Sequence, residues 1–181
     1  SNSTDGGFIN NGGNDAVVSK YDKNGNLIWI KNFGGSGDDY FYDITETQDN
    51  GVVAVGSGNS TDTEIANAGG IDAIIVKYDS EGNQVWAKGI SGLKTESLNS
   101  VTEMKNGDIL VSGYSISTDI GVSNNGNADA ILARYDSKGN QKWIINYGGS
   151  SIDYFYCATE CYDEGIIAVG YSASTNLEHA N

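Results

Sequence analysis

The chain has 181 residues and 38% hydrophobic content, enough for one folded domain with its own core. A net charge of -14 has the wrong sign for a surface that neutralises phosphates, so nucleic acid is not an expected partner. No apolar run reaches the roughly 18 residues of a membrane-spanning helix, so membrane insertion is not expected either.

The opening segment Ser1 to Gly13 reads as a loop and carries neither the charged nor the apolar part of a signal peptide. If the protein is exported, its signal lies outside this sequence. Asn2, Ser3, Thr4 and Asp5 match Asn59, Ser60, Thr61 and Asp62, so the chain starts in the middle of a unit that it later repeats. The landmarks of that unit recur at an interval of 57 residues: Asp15, Asp72 and Asp129; Trp29, Trp86 and Trp143; Gly56, Gly113 and Gly170. A fixed period of this length marks a repeat architecture. The repeats run over residues 15–71, 72–128 and 129–181, with 1–14 completing the last unit, within a single domain over 1–181.

Within the first repeat, Asp15 to Tyr21 is short, rich in β-branched residues and bounded by turn residues, which predicts a strand. Asp22, Asn24, Gly25 and Asn26 then supply a hairpin turn, written again as DSEGN from Asp79 and DSKGN from Asp136. A second strand is predicted over Leu27 to Phe33, with Trp29 as its packing anchor. A glycine-rich link, Gly34 to Asp38, leads into a third strand, Tyr40 to Thr47. Its apolar side chains, Tyr40, Phe41, Tyr42 and Ile44, fall on both parities, which predicts cover on both faces and an innermost position. Asp49, Asn50 and Gly51 form the next turn. In the second repeat Gly107 aligns with Asn50, one place early, which predicts a different turn geometry there. A fourth strand, Val52 to Gly56, precedes the polar loop Ser57 to Ile71.

Four antiparallel strands per unit, short hairpins and no helical periodicity describe one blade of a β-propeller. The expected fold is therefore all-β, a propeller of four-stranded antiparallel blades with three blade equivalents per chain. The run GG-x-DA, K-Y-D, G-N and W over Gly69 to Trp86, and the run from Gly148 through D-Y and AVG-Y-S to Thr175, resemble the bacterial β-propeller repeat of surface and secreted proteins. The resemblance covers the whole chain and implies an extracellular or cell-surface location, but no shared reaction. The second repeat departs from it, with ISGLKTES over Ile90 to Ser97 where the first has FGGSGDDY.

Three blades do not match the four to eight of known propellers. The chain reads as a half blade, two whole blades and a complementary half, so a homodimer could close a six-bladed ring by strand complementation. The alternative is a piece of a longer single-chain propeller.

Candidate sites are few. Asp39, Glu96 and Asp153 keep an acidic group where the third strand of each unit begins, with Asp38 beside the first. Carboxylates converging on a channel mouth would suit calcium or a cationic ligand, and hydrogen bonding to the adjacent glycine-rich turn is the other reading. No cofactor other than calcium is expected. Lys20, Lys77 and Arg134 keep one sign while Glu46, Glu103 and Glu160 keep the other, which predicts a charge pair inside each blade. One loop position reads Phe8, Ile65, Val122 and His179, a residue placed to tack the loop to its own blade. Cys157 and Cys161 stand about 13 Å apart on an extended strand, too far to bridge, and read as buried apolar residues.

His179 is the lone histidine, so a Ser-His-Asp triad or a zinc site has little to draw on, and no phosphate-loop motif occurs. The expected function is a non-catalytic interaction or scaffold module with a protein or glycan ligand. A lectin-like, carbohydrate-binding propeller is the alternative, on the strength of eleven Tyr and three Trp.

Overall fold

A computed structural model describes residues 10–176 and the backbone of 178–180. Phe8 and the His179 side chain lie outside the described residues, as does the match of Asn2 to Asp5 with the repeat. Regular structure among the described residues is all strand: β1 (Ala16–Tyr21), β2 (Leu27–Phe33), β3 (Asp39–Glu46), β4 (Val52–Gly58), β5 (Asp72–Tyr78), β6 (Gln84–Ile90), β7 (Glu96–Glu103), β8 (Ile109–Ser115), β9 (Asp129–Tyr135), β10 (Gln141–Gly148), β11 (Asp153–Glu160), β12 (Ile166–Ser172) and β13 (Glu178–Ala180).

The strands pair in antiparallel sheets. β3-β4-β5-β6 form a four-stranded sheet, and β7-β8-β9-β10 repeat it with β13 added beyond β10. β1-β2 and β11-β12 are two-stranded. The four-stranded antiparallel unit predicted for each repeat is therefore present twice, flanked by two halves. β4 pairs with β5 in the register Val52↔Tyr78 to Gly58↔Asp72, and β8 with β9 in the matching register Ile109↔Tyr135 to Ser115↔Asp129.

Each sheet is held to the next through apolar faces. Val53, Val55, Ala73 and Ile75 of one sheet share a core with Leu98, Val101, Ile109, Val111 and Ile131 of the next. Val18 and Phe33 meet Ile74, Val76 and Tyr78 in a second core, and Leu110 and Leu132 meet Ala158 in a third. The tryptophans cross the same gaps. Trp29 Nε1 donates to the Ser80 carbonyl at 3.1 Å and Trp86 Nε1 to the Ser137 carbonyl at 3.2 Å, each in the hairpin turn one repeat further on.

The expectation that the third strand of every unit is covered on both faces holds for β7 and fails for β3, where Tyr40, Tyr42 and Ile44 are exposed, and for β11, where Tyr156 and Cys157 are exposed. The reason is position: β7 lies between β3 and β11, whereas among the described residues β3 and β11 each have a corresponding strand on one side only. A bulge in each of these strands, at Phe41/Asp43, Leu98/Ser100 and Phe155/Cys157, also shifts side-chain parity along them. It explains the mixed parity that sequence alone reads as burial on both faces. Cys157 is exposed and Cys161 half-buried, both free, which corrects their reading as buried apolar residues.

The turn around Gly107 is also unlike its expectation. Met104 N bonds the Asp108 carbonyl and Gly107 N the Met104 carbonyl, as Thr47 and Asn50 do with Gly51 and Thr47 in the first repeat. Gly107 at φ 82° takes the left-handed position that Asn50 holds at 62° and Glu164 at 66°. The geometry is kept because glycine enters that region without a Cβ clash.

Candidate functional site

The acids singled out by sequence lie where one sheet hands over to the next. Each sits at the start of a strand, its backbone amide bonded across the junction: Asp39 N to the Asn14 carbonyl at 2.6 Å, Glu96 N to Ile71 at 2.8 Å and Asp153 N to Ala128 at 2.8 Å. Asp39, Glu96 and Asp153 are all buried. The structure sets each against the acid that opens the preceding unit. Asp15 and Asp39 flank Gly34, where an added Cβ would lie 2.6 Å from the first and 2.9 Å from the second. Asp129 and Asp153 flank Gly148 in the same way, and the Asp72 and Glu96 carboxyls face one another. The three acids Asp39, Glu96 and Asp153 are thus divided among three junctions. Asp38 accepts from the backbone and side-chain nitrogens of Asn14, at 2.9 and 2.8 Å.

The partners of these carboxylates are donors. Asp39 accepts from Ser60 Oγ at 2.5 Å and from Gly35 N at 3.2 Å. Asp153 accepts from Ser174 Oγ at 2.7 Å and from Gly149 N at 3.0 Å. Glu96 accepts from Ser115 Oγ at 2.9 Å. Ser60, Ser117 and Ser174 recur at the repeat interval, and each hydroxyl also accepts a backbone amide of the glycine-rich link: Gly37 at 2.9 Å, Lys94 at 2.9 Å and Ser151 at 2.9 Å. Two residues on, Asp62, Asp119 and Asn176 accept from the amides of Ser36, Leu93 and Ser150. These serines and their neighbours were not singled out as site residues. Their signal was present in the fixed interval, but their contribution is a bond to a loop some twenty residues earlier, which spacing alone does not reveal.

Burial pushes the Asp39, Asp72, Glu96 and Asp129 carboxyls above the ordinary range. The facing acid of each pair adds to the rise for Asp39, Glu96 and Asp129. Asp153 is also pushed up by burial, but bonds from Ser172, Ser174 and Gly149 outweigh it and bring the group below its usual value. Donors that converge on a carboxylate stabilise its charge in place, and a bound cation would have to compete with them. Among the described residues no three His, Cys, Asp or Glu side chains converge where they could hold a metal ion.

The predicted charge pair inside each blade is replaced by another arrangement. Lys77 bonds Asp49 and Thr47 in the turn, and Arg134 bonds Asp108. The glutamates reach across to a neighbouring sheet instead: Glu103 Oε2 accepts the Gln48 amide and Glu160 Oε2 the Lys105 amide, both at 2.8 Å. Ile65, in the loop after β4, is buried beside Phe33 and Gly89, in keeping with a residue that anchors its loop.

The more exposed surface belongs to the two half sheets. Ile167, Val169 and Tyr171 of β12, and Tyr21, Leu27 and Ile28 of β1 and β2, are large, apolar and open. A cavity of about 230 Å³ lies between β1 and β3, lined by Val17, Val18, Phe41, Tyr42 and Ile44 among others. A second, of about 200 Å³, lies beside Gly170, lined by Ala130, Tyr147, Tyr154 and Tyr171 among others.

No family model matches the chain. An uncharacterized WD repeat-containing protein of Acanthamoeba polyphaga mimivirus is 26% identical over 142 residues, covering 70% of this chain and 10% of that protein. The chain spans about a tenth of that relative's length. WD repeats are propeller blades of four strands, so this distant likeness and the blade-like sheets agree on a propeller-type repeat. The likeness does not reach as far as the bacterial surface family whose motifs the repeat resembles.

Proposed function

We propose that this chain is a propeller-type interaction module that works by contact through its sheet faces and edges, without catalysis. The observation that carries the reading is the contrast between its acids and its half sheets. The repeated acids are buried among donors of the chain itself, while Ile167, Val169 and Tyr171 of the half sheet β11-β12, and Tyr40, Tyr42 and Ile44 of β3 beside the half sheet β1-β2, stand open. Apolar sheet faces and unpaired edges of this kind are contact surfaces. A surface or secreted setting accompanies the proposal and is supported by the resemblance of the repeat. Light scattering over a concentration series tests it. The wild-type chain and Glu96→Gln are expected to associate, and Val169→Lys to remain at 19.1 kDa. A wild type that stays monomeric, or a Val169→Lys variant that associates equally well, overturns the reading.

A glycan-binding role is a second reading, favoured by Tyr40 and Tyr42, whose half-exposed rings stack at 6.4 Å with 9° between their planes. Binding on a glycan array that Tyr42→Ala abolishes would support it, and an array without signal would remove it.

A further inference from the structure

The two half sheets are complements in register, in charge and in shape. In the first whole sheet β4 lies beside β5, and displacement by the repeat interval turns that pairing into β12 beside β1: Ile166 opposite Tyr21, Ala168 opposite Ser19, Gly170 opposite Val17 and Ser172 opposite Asp15. Among the described residues of one chain β12 pairs with β11 alone and β1 with β2 alone. Each leaves an edge.

We infer that the edge of β12 takes β1 of a second copy of this chain, so that two composite four-stranded sheets close between protomers. This rests on the contact reading above and names its partner.

Three further observations agree with that occupant. The first is burial. Val53 and Val55 are 0% exposed, while their counterparts Ile167 and Val169 are 57% and 58% exposed. Likewise Val101 is 5% exposed and its counterpart Ile44 is 48% exposed. In the whole sheets Val53 and Val55 share a core with Val101, so the bare residues on one copy are the partners of the bare residue on the other.

The second is charge. Lys77 lies 2.9 Å from Asp49, whose Oδ1 also accepts the Gly51 amide at 3.1 Å. Asp163, the counterpart of Asp49, accepts the Gly165 amide at the same 3.1 Å and is thus set in the same pose. The lysine that would meet it is Lys20 on β1 of the second copy.

The third is space. The cavity between β1 and β3 lies where Ile167 and Val169 of the incoming ribbon would seat, and the cavity beside Gly170 lies where Val17 would seat. A two-stranded ribbon added to a sheet edge gains its backbone bonds and an apolar face together. A one-residue slip would turn that face outward, so the register is specified.

The test is a cross-link between separate chains, all with Cys157→Ser and Cys161→Ser. Chains carrying only Ser19→Cys are mixed with chains carrying only Ala168→Cys and oxidised. A disulfide-linked species at twice 19.1 kDa is expected. The mixture of Val18→Cys with Ala168→Cys, one residue out of register, is expected to give none. Circular dichroism of each variant confirms that the sheets are kept. Association that Val169→Lys abolishes, but without the in-register link, overturns the composite sheets and leaves the contact reading standing. A monomeric wild type overturns both and assigns the missing strands to another segment of a longer polypeptide.

Discussion

The Lys77 ammonium lies 2.9 Å from Asp49 Oδ2, and the two side chains are very unequally placed, at 6% and 62% exposed. Lys77 also donates to Thr47 Oγ1 at 2.8 Å, so the buried partner depends on the turn for its solvation. Breaking such a pair is costly only when the charge left behind is buried.

Asp49→Asn is therefore expected to cost more than Lys77→Met. The first strands a buried ammonium, at about 2 kcal/mol, while the second leaves a carboxylate facing water, at under about 1 kcal/mol. Chemical denaturation of the two variants at neutral pH measures the order. The bonds from Thr47 and Lys77 hold the Asp49 carboxyl down at about 2. Its contribution is thus present above the unfolded value of 3.8 and is lost as pH falls through about 2, and Asp49→Asn should flatten that acid limb.

Glu96 behaves in the opposite sense. Burial raises its carboxyl above 4.5, so the folded state favours the protonated form. Its contribution is complete below 4.5 and is lost as pH rises through the folded value. Glu96→Gln removes the titrating charge while keeping the shape, and its amide gains the Asp72 carboxyl as an acceptor. The variant is expected to be more stable than wild type at pH 7, by about 1 kcal/mol, and to lose that advantage at pH 4. Urea melts at the two pH values decide it, and an advantage that does not shrink on acidification would refute the assignment.

Gly113 marks the bulge of the second sheet. A Cβ there would lie 1.9 Å from the Ser97 carbonyl oxygen, and Gly56 and Gly170 meet Tyr40 and Tyr154 at 1.8 Å in the same way. The clash is with backbone, which cannot rotate aside. Gly113→Ala is expected to destabilise the chain by about 2–3 kcal/mol or more. A thermal melt compares it with Gly107→Ala, whose Cβ would meet nothing within 4 Å and whose cost comes only from its φ of 82°.

Much of the architecture is legible in the residues themselves. Strand boundaries follow from the β-branched runs between Asp, Asn and Gly turns, and the pairing order follows from a unit that repeats every 57 residues. Local chemistry sets both, because hairpin turns join neighbours in sequence. The acids Asp39, Glu96 and Asp153 could be located by the same interval, but not their surroundings. Their facing acids lie 24 residues earlier and their serines about twenty residues later, and only the folded chain brings these together.

The lysine–glutamate expectation failed for a related reason. Lys77 and Glu46 share a sheet, but β7 carries Glu103 past the turn of the preceding sheet, where the Gln48 amide claims it. Composition, period and strand order belong to the sequence, since each depends on near neighbours. Which face is bare, which carboxyl is desolvated and which sheet stops at two strands among the described residues belong to the tertiary structure, since identical residues at repeat-related positions are buried or exposed according to whether another sheet lies against them.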